Sequence, residues 1–191
     1  FCQPENRGMG EARNLGNEKA RGKYIFYVDS DDWIDEDALE LLHDAAEKNQ
    51  ADITAAGSRI ADEKGSTRPY FGKDLFSEGR LDALEKISRY DIGTIVWNKM
   101  YRREFIERNK LRFLPIYHED VIFSIEAAYW AKSYVSLSRE CYSYFQHSQS
   151  VTHKRISTIN FVGYFELMKF ITKFFVREGL DQDKAGRELQ Q

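Results

Sequence analysis

Cysteine is scarce: only Cys2 and Cys141 occur in 191 residues. They are far apart and form no metal or redox motif, which fits reduced thiols in a cytosolic protein, with mutual pairing as the alternative. A surplus of basic charge is also lacking. Charged residues make up 31% of the chain and the net charge is −3, so no broad polyanion-binding surface is expected and nucleic acid is excluded as a partner. The first residues, FCQPENRG, contain no apolar run, so no secretory signal is read there. The glycines of NRGMGEARNLG lack the spacing of a dinucleotide fingerprint or a P-loop. There is no Ser/His/Asp triad to argue for, no internal repeat and no low-complexity tract. What is present is 42% hydrophobic and 14% aromatic residues, enough for the core of one domain with an appendage.

The coarse order along the chain is helix, strand, acidic turn, helix, strand, excursion, helix, then strands and a helical tail. Residues 11–21 (EARNLGNEKAR) predict a short helix whose small residues Ala12, Gly16 and Ala20 lie on one narrow face, with Gly22 as its C-terminal cap. Tyr24 to Val28 predicts a buried strand. Residues 35–50 predict a helix capped by Asp35, with Ala38, Leu41, Leu42, Ala45 and Ala46 on its apolar face. Residues 51–59 predict another strand, 61–79 a loop or hairpin, and 81–89 a short helix. Residues 118–130 predict a helix with Ile122, Ile125, Ala128 and Tyr129 inward, and 133–137 and 141–146 predict two strands. Alternation of this kind argues for an α/β layered fold.

Six acids fall between Asp29 and Asp37, at the end of the first strand. Ligand sites in open α/β sheets sit at the carboxyl ends of strands. In an extended segment Asp29 and Asp31 would point the same way, and together could hold a hard divalent cation, Mg²⁺ or Mn²⁺, against a diphosphate. An EF-hand reading counts well from Asp29, but Trp33 and Ile34 stand at its fifth and sixth positions, where a glycine turn is required. Helix capping alone accounts for Asp35, Glu36 and Asp37 but not for the upstream pair.

Four further groups carry chemistry. His118, Glu119 and Asp120 place two carboxylates and an imidazole at a helix start, suited to capping or to a general base. Trp97, Asn98 and Lys99 supply a flat ring, an amide and a cation, with core packing as the plain alternative for the ring. Arg13 can meet a phosphate or pair with an acid of the turn. His147 and His153 lie late in the chain, where one of them could complete a metal site, and Ser150 and Thr152 between them could bond a phosphate.

Taken in order, NRGMGEARNLGNEKARGKYIFYVDSDDWIDEDALE, WNKMYRREF, HEDVIF and CYSYFQHSQSVTH resemble the motifs of family 2 glycosyltransferases of the GT-A fold, over about residues 5–153. Asn6, Gly8, Ala12, Arg13, Asn14, Gly16, Ala20, Gly22 and Tyr24 fit the family's pattern ahead of its D-x-D element. The resemblance implies sugar transfer with inversion, from a nucleotide-diphosphate sugar to a hydroxyl on a glycan or lipid-linked acceptor, in cell-surface polysaccharide or other glycan synthesis. It implies Mn²⁺ or Mg²⁺ as cofactor, held by Asp31 and by Asp29, which alternatively meets the nucleotide ribose. Asp120 becomes the acceptor-activating base with Glu119 beside it. Arg13, Trp97, Asn98 and Lys99 shape the substrate pockets.

One departure stands out: the family's opening V-S-V-I-I-P-x-Y-N and V-D-D-G-S strands have no counterpart here. The expectation is therefore an incomplete GT-A-type, Rossmann-like catalytic domain over residues 1–153, lacking its N-terminal nucleotide-binding strands, with a helical extension over 154–191. An exposed sheet edge, homo-oligomerisation through it and doubtful activity of the piece alone follow from that reading. The apolar 156–176 segment predicts a helix packed on the domain, with a partner or membrane-surface contact as the alternative. Its charges, Glu166, Lys169 and Lys173, argue against a membrane span. The location expected is cytoplasmic, extending to the inner face of the membrane. A non-catalytic sugar-binding module or an interaction fragment is the competing class, and it would have no need of a base such as Asp120.

Overall fold

Two long strands form the spine of the sheet. The computed structural model describes residues 5–147 and 158–180. Within it β3 (Ile53–Asp62) runs parallel to β7 (Ser133–Gln146) along its whole length. The other strands join antiparallel: β1 (Tyr24–Phe26) on β6 (Lys99–Arg102), β6 on β3, and β2 (Trp33–Ile34) on β7. The main order is β1-β6-β3-β7-β2, with β4 (Thr67–Phe71) added on β3 and β5 (Leu75–Glu78) on β7. β3 is buried on both faces, which is why ITAAGSRIAD is rich in small and β-branched residues.

Helices cover both faces. α2 (Ala38–Asn49) lays Ala38 and Leu42 on Ala56, Met100 and Cys141. The opposite face carries the larger core, in which Tyr27, Ile53, Tyr101, Phe113 and Phe123 meet under α5 (Glu119–Trp130) and α3 (Arg80–Ser88). Phe113 and Phe123 stack with ring centroids 4.1 Å apart. α4 (Arg103–Arg108) contributes Phe105 and Ile106 to the same core. Complete burial of side chains such as Leu42 or Phe123 supplies about 1.5–3 kcal/mol each, and this two-sided layering is what the sequence pattern anticipated.

Four local expectations are corrected. The first helix, α1 (Met9–Lys19), ends at Ala20 in extended backbone, so Gly22 is not its cap. Its inward residues are Gly10 and Asn14, not the Ala12/Gly16 face, which is exposed. Asn14 explains this: its amide donates to the Phe113 carbonyl and its oxygen accepts from the Phe113 N–H, so this polar side chain anchors the helix. Residue 37, not Asp35, precedes α2, because Asp35 is drawn into an ion pair with Arg59 on β3. The strands expected at 133–137 and 141–146 are one strand, β7. Its register against β3 slips beside Gly57, where a Cβ would lie 2.6 Å from the Ser138 carbonyl oxygen, so only glycine lets the bulged segment pass.

The tail forms α6 (Thr158–Glu178). Phe174, Phe175 and Leu180 pack on Leu84, Ile125 and Tyr129, while Phe161, Phe165 and Met168 stay exposed. No helix among the described residues is long and apolar enough to cross a membrane. β1 is the edge of the main sheet and pairs only with β6 among the described strands.

Candidate active site

The acidic residues do not act as one cluster. The segment after β1 turns at once, with the Asp32 N–H bonded to the Asp29 carbonyl oxygen at 3.1 Å. Asp29 and Asp31 therefore do not share one side of an extended strand, and their carboxylates go to different partners. Asp29 accepts from Arg13 at 2.7 Å, whereas Asp31, half exposed, faces the His147 Nε2 at 3.6 Å. Asp32, which lies between the pair and the helix start, is the tether of the turn. Its two oxygens accept from the Tyr142 hydroxyl at 2.6 Å and the Phe145 N–H at 2.8 Å. The same Tyr142 hydroxyl accepts from the Asp29 N–H at 3.2 Å. Burial pushes the Asp32 carboxyl up to about 6, against the pull of those two donors.

Arg13 joins the two halves of the site. Projecting from α1, it donates to Asp29 in the turn and, at 2.8 Å, to Glu119 at the start of α5. Burial works against its charge, but Asp29 and Glu119 outweigh that and hold its pKa above the ordinary value. Gly10 permits this arrangement. A Cβ there would lie 3.1 Å from the Leu114 carbonyl oxygen and 3.3 Å from the Glu119 Cγ, so the helix start and Glu119 touch backbone to side chain. Beside Glu119, Asp120 accepts from the Val121 N–H at 2.9 Å. Burial raises the pKa of both acids, the Arg13 charge opposing it in each case.

Trp97, Asn98 and Lys99 are all buried. Asn98 holds a left-handed backbone, φ 65°, and its amide donates to the Ala56 carbonyl oxygen at 2.7 Å. Lys99 donates to the Ile95 carbonyl and lines a cavity of about 20 Å³ with Asn98, Tyr134 and Ser136, room for about one water. Burial pulls the Lys99 ammonium down to about 7, partly countered by Asp120. The polar ends of Asn98 and Lys99 are thus engaged with backbone carbonyls. Trp97 stacks on Tyr142 at 4.7 Å. Tyr142 and Tyr144 belong to the CYSYFQHSQSVTH motif of the family resemblance, but sequence reading assigns them no role, although their alternation places both on one face. His153, Ser150 and Thr152 lie outside the described residues.

As to a metal, no three His, Cys, Asp or Glu side chains converge as an ion site among the described residues. Asp31 and His147 are a carboxylate and an imidazole near enough that they could share one ion, a donor pair that Mn²⁺ accepts. The residues present therefore fit a cation held jointly with a substrate. Asp29, committed to Arg13, fits that role less well.

A mixed sheet layered by helices, with an acidic turn at the end of a strand clasped to an acidic helix start, defines a GT-A-type fold. The chain belongs to the glycosyl transferase family 2, whose model matches residues 1–110. Among its relatives, the uncharacterized glycosyltransferase EpsJ of Bacillus subtilis is 31% identical over 77% of this chain and 44% of its own length. The poly(ribitol-phosphate) beta-N-acetylglucosaminyltransferase TarP of Staphylococcus aureus is 26% identical over 92% of this chain and 53% of its own. The crystal structure of S. aureus TarS 1-349 in complex with UDP-GlcNAc superposes with a TM-score of 0.64 at 21% identity, covering 78% of this chain and 42% of that one. The chain spans a little under half the length of the first curated relatives it matches.

Proposed function

We propose that this chain carries the acceptor-activating part of an inverting glycosyltransferase that moves a sugar from a nucleotide-diphosphate donor to a hydroxyl of a cell-surface glycan. The observation that carries this reading is the Arg13 clasp, which brings the D-x-D turn and the E-D pair, 106 residues from Arg13 at Glu119, into one site. A protein that only bound sugar would need the first element but not the second. The relatives support the substrate class: TarP is named for transfer onto poly(ribitol-phosphate), and TarS was crystallised with UDP-GlcNAc.

In this reading Asp31 and His147 hold a divalent cation against the donor diphosphate, and Asp29 orients Arg13 and meets the donor ribose. When bound, the cation supplies positive charge to the departing diphosphate. Asp120 takes the proton of the acceptor hydroxyl. That oxygen forms its bond to the anomeric carbon as the bond from carbon to diphosphate oxygen breaks, on the opposite side, so the configuration inverts. Arg13 holds Glu119 in place beside the base and opposes the effect of burial on its charge, and the buried WNK segment supports the pocket from within.

The test uses the complete protein with Mn²⁺ and a panel of nucleoside-diphosphate sugars. Asp31→Ala is expected to weaken Mn²⁺-dependent donor binding and abolish transfer, and Asp120→Asn to abolish transfer with donor binding retained. Equal transfer by Asp31→Ala and the unaltered protein would sink the metal role. Turnover retained by Asp120→Asn moves the base to Glu119.

A further inference from the structure

Four aromatic rings lie nearly parallel beside the acidic turn, and the function proposed above uses only one of them. Tyr142, whose hydroxyl is tied to Asp32, stacks on Trp97 at 4.7 Å and 23°. Trp97 in turn meets Tyr144 at 5.4 Å and 19°, and Tyr70 at 6.1 Å and 19°. Tyr70 and Tyr144 close the group at 6.0 Å and 27°. The inner rings are sealed, with Tyr142 fully buried and Trp97 only 7% exposed, whereas Tyr70 is 42% exposed. The row thus begins at the turn and runs out to solvent on β4, which pairs only with β3 among the described strands.

A stack of this kind serves the core at its inner end, but packing does not require an exposed ring to be held parallel to its neighbours there. Aromatic faces are electron-rich and attract the polarised C–H groups of a sugar ring. Among the described residues the rings that stack on Tyr70 are Trp97 and Tyr144, so its exposed ring continues an aromatic row that suits a sugar ring, with the Arg68 charge within electrostatic reach. It is also open, whereas a nucleobase or other small ligand is ordinarily enclosed over most of its surface. An open row leading away from the reaction centre suits a ligand that continues beyond it.

Resting on the glycosyltransferase reading, we propose that the exposed ring of Tyr70, backed by Tyr144 and Trp97, forms a stacking subsite for a neutral pyranose of the acceptor glycan. Tyr70 acts in binding and touches none of the reacting atoms.

The experiment follows tryptophan fluorescence of the complete protein, with Trp97→Phe identifying the responding ring. The probes are methyl pyranosides of glucose, galactose and N-acetylglucosamine and, separately, UDP with Mn²⁺. At least one pyranoside is expected to perturb Trp97 emission. Tyr70→Ala is expected to weaken that binding about three- to tenfold, the worth of one aromatic stack, with UDP affinity unchanged. Tyr70→Phe, which keeps the ring, is expected to bind like the unaltered protein. No response to any pyranoside, or equal binding by Tyr70→Ala, overturns the subsite. Loss of UDP affinity in Tyr70→Ala overturns it in favour of a nucleobase seat. Failure of the underlying reading has a different signature: UDP and Mn²⁺ binding that is absent or indifferent to Asp31→Ala.

Discussion

The Arg13 guanidinium bonds Asp29 at 2.7 Å and Glu119 at 2.8 Å, holding together two acids that lie ninety residues apart in the chain. All three side chains are largely shielded, 12%, 29% and 9% exposed. Removing the shared cation leaves two carboxylates facing each other with poor access to water. Arg13→Met is therefore expected to destabilise the fold by about 2–4 kcal/mol, in the range for a buried pair that loses one partner. Urea denaturation measures this. Arg13→Lys retains the charge but cannot fork to both acids, so it should recover part of the stability and little of the transfer activity.

Two glycines of α1 make opposite predictions. At Gly10 a methyl group would press on the Phe113 Cβ at 3.2 Å and the Glu119 Cγ at 3.3 Å. Gly10→Ala should displace Glu119 and reduce kcat/KM more than its stability cost alone would. At Gly16 nothing lies within 4 Å of the added Cβ. Gly16→Ala should raise stability by about 0.5–1 kcal/mol, through helix propensity and a less flexible unfolded chain, with activity unchanged. Parallel melting and transfer assays of the two variants separate the effects.

Burial raises the pKa of Asp120 from the ordinary aspartate value, with Arg13 opposing. A general base must be ionised, so kcat/KM should fall as pH drops through that raised value. The acid limb of the profile is then expected at higher pH than an exposed aspartate would give. Arg13→Met removes the opposing charge and should move the limb further up in pH. A limb at the ordinary aspartate position would remove Asp120 from the role.

Asn98 combines a left-handed backbone with a side-chain bond to the Ala56 carbonyl. Asn98→Ala loses that bond and forces a Cβ residue without a polar tip into the same conformation, at a cost of about 1–3 kcal/mol. Asn98→Gly relieves the backbone and should cost less. If Asn98 contacted substrate directly, both variants would raise KM equally, which kinetics at matched stability would reveal.

Local pattern was a good guide wherever one periodicity dominated. The buried run of β3, the apolar face of α2 and the inward residues Ile122, Ile125, Ala128 and Tyr129 of α5 are all where hydrophobic spacing puts them. It failed where a polar side chain found a distant partner. Asn14 turned α1 onto a face that spacing of small residues did not mark, and Arg59 took Asp35 away from the helix start. Nor could it see that Gly57 lets the bulged segment of β7 pass, joining two expected strands into one.

By itself, the sequence determined the layered α/β class and the short list of chemical groups: the acidic turn, the E-D pair, Arg13 and the WNK segment. These follow from periodicity and residue type, which are local properties. Only the tertiary structure decided how the groups divide the work. Asp29 is turned to Arg13, Asp31 to His147 and Asp32 to Tyr142, because each carboxylate goes to the donor or cation that the fold delivers to it. Those partners come from α1 and from the end of β7 and the residue after it, so they converge on the turn from well before it and from more than a hundred residues after it. No spacing rule along the chain encodes that convergence, since it depends on the antiparallel pairing of β2 with the end of β7, which sets the turn beside Tyr142 and Phe145.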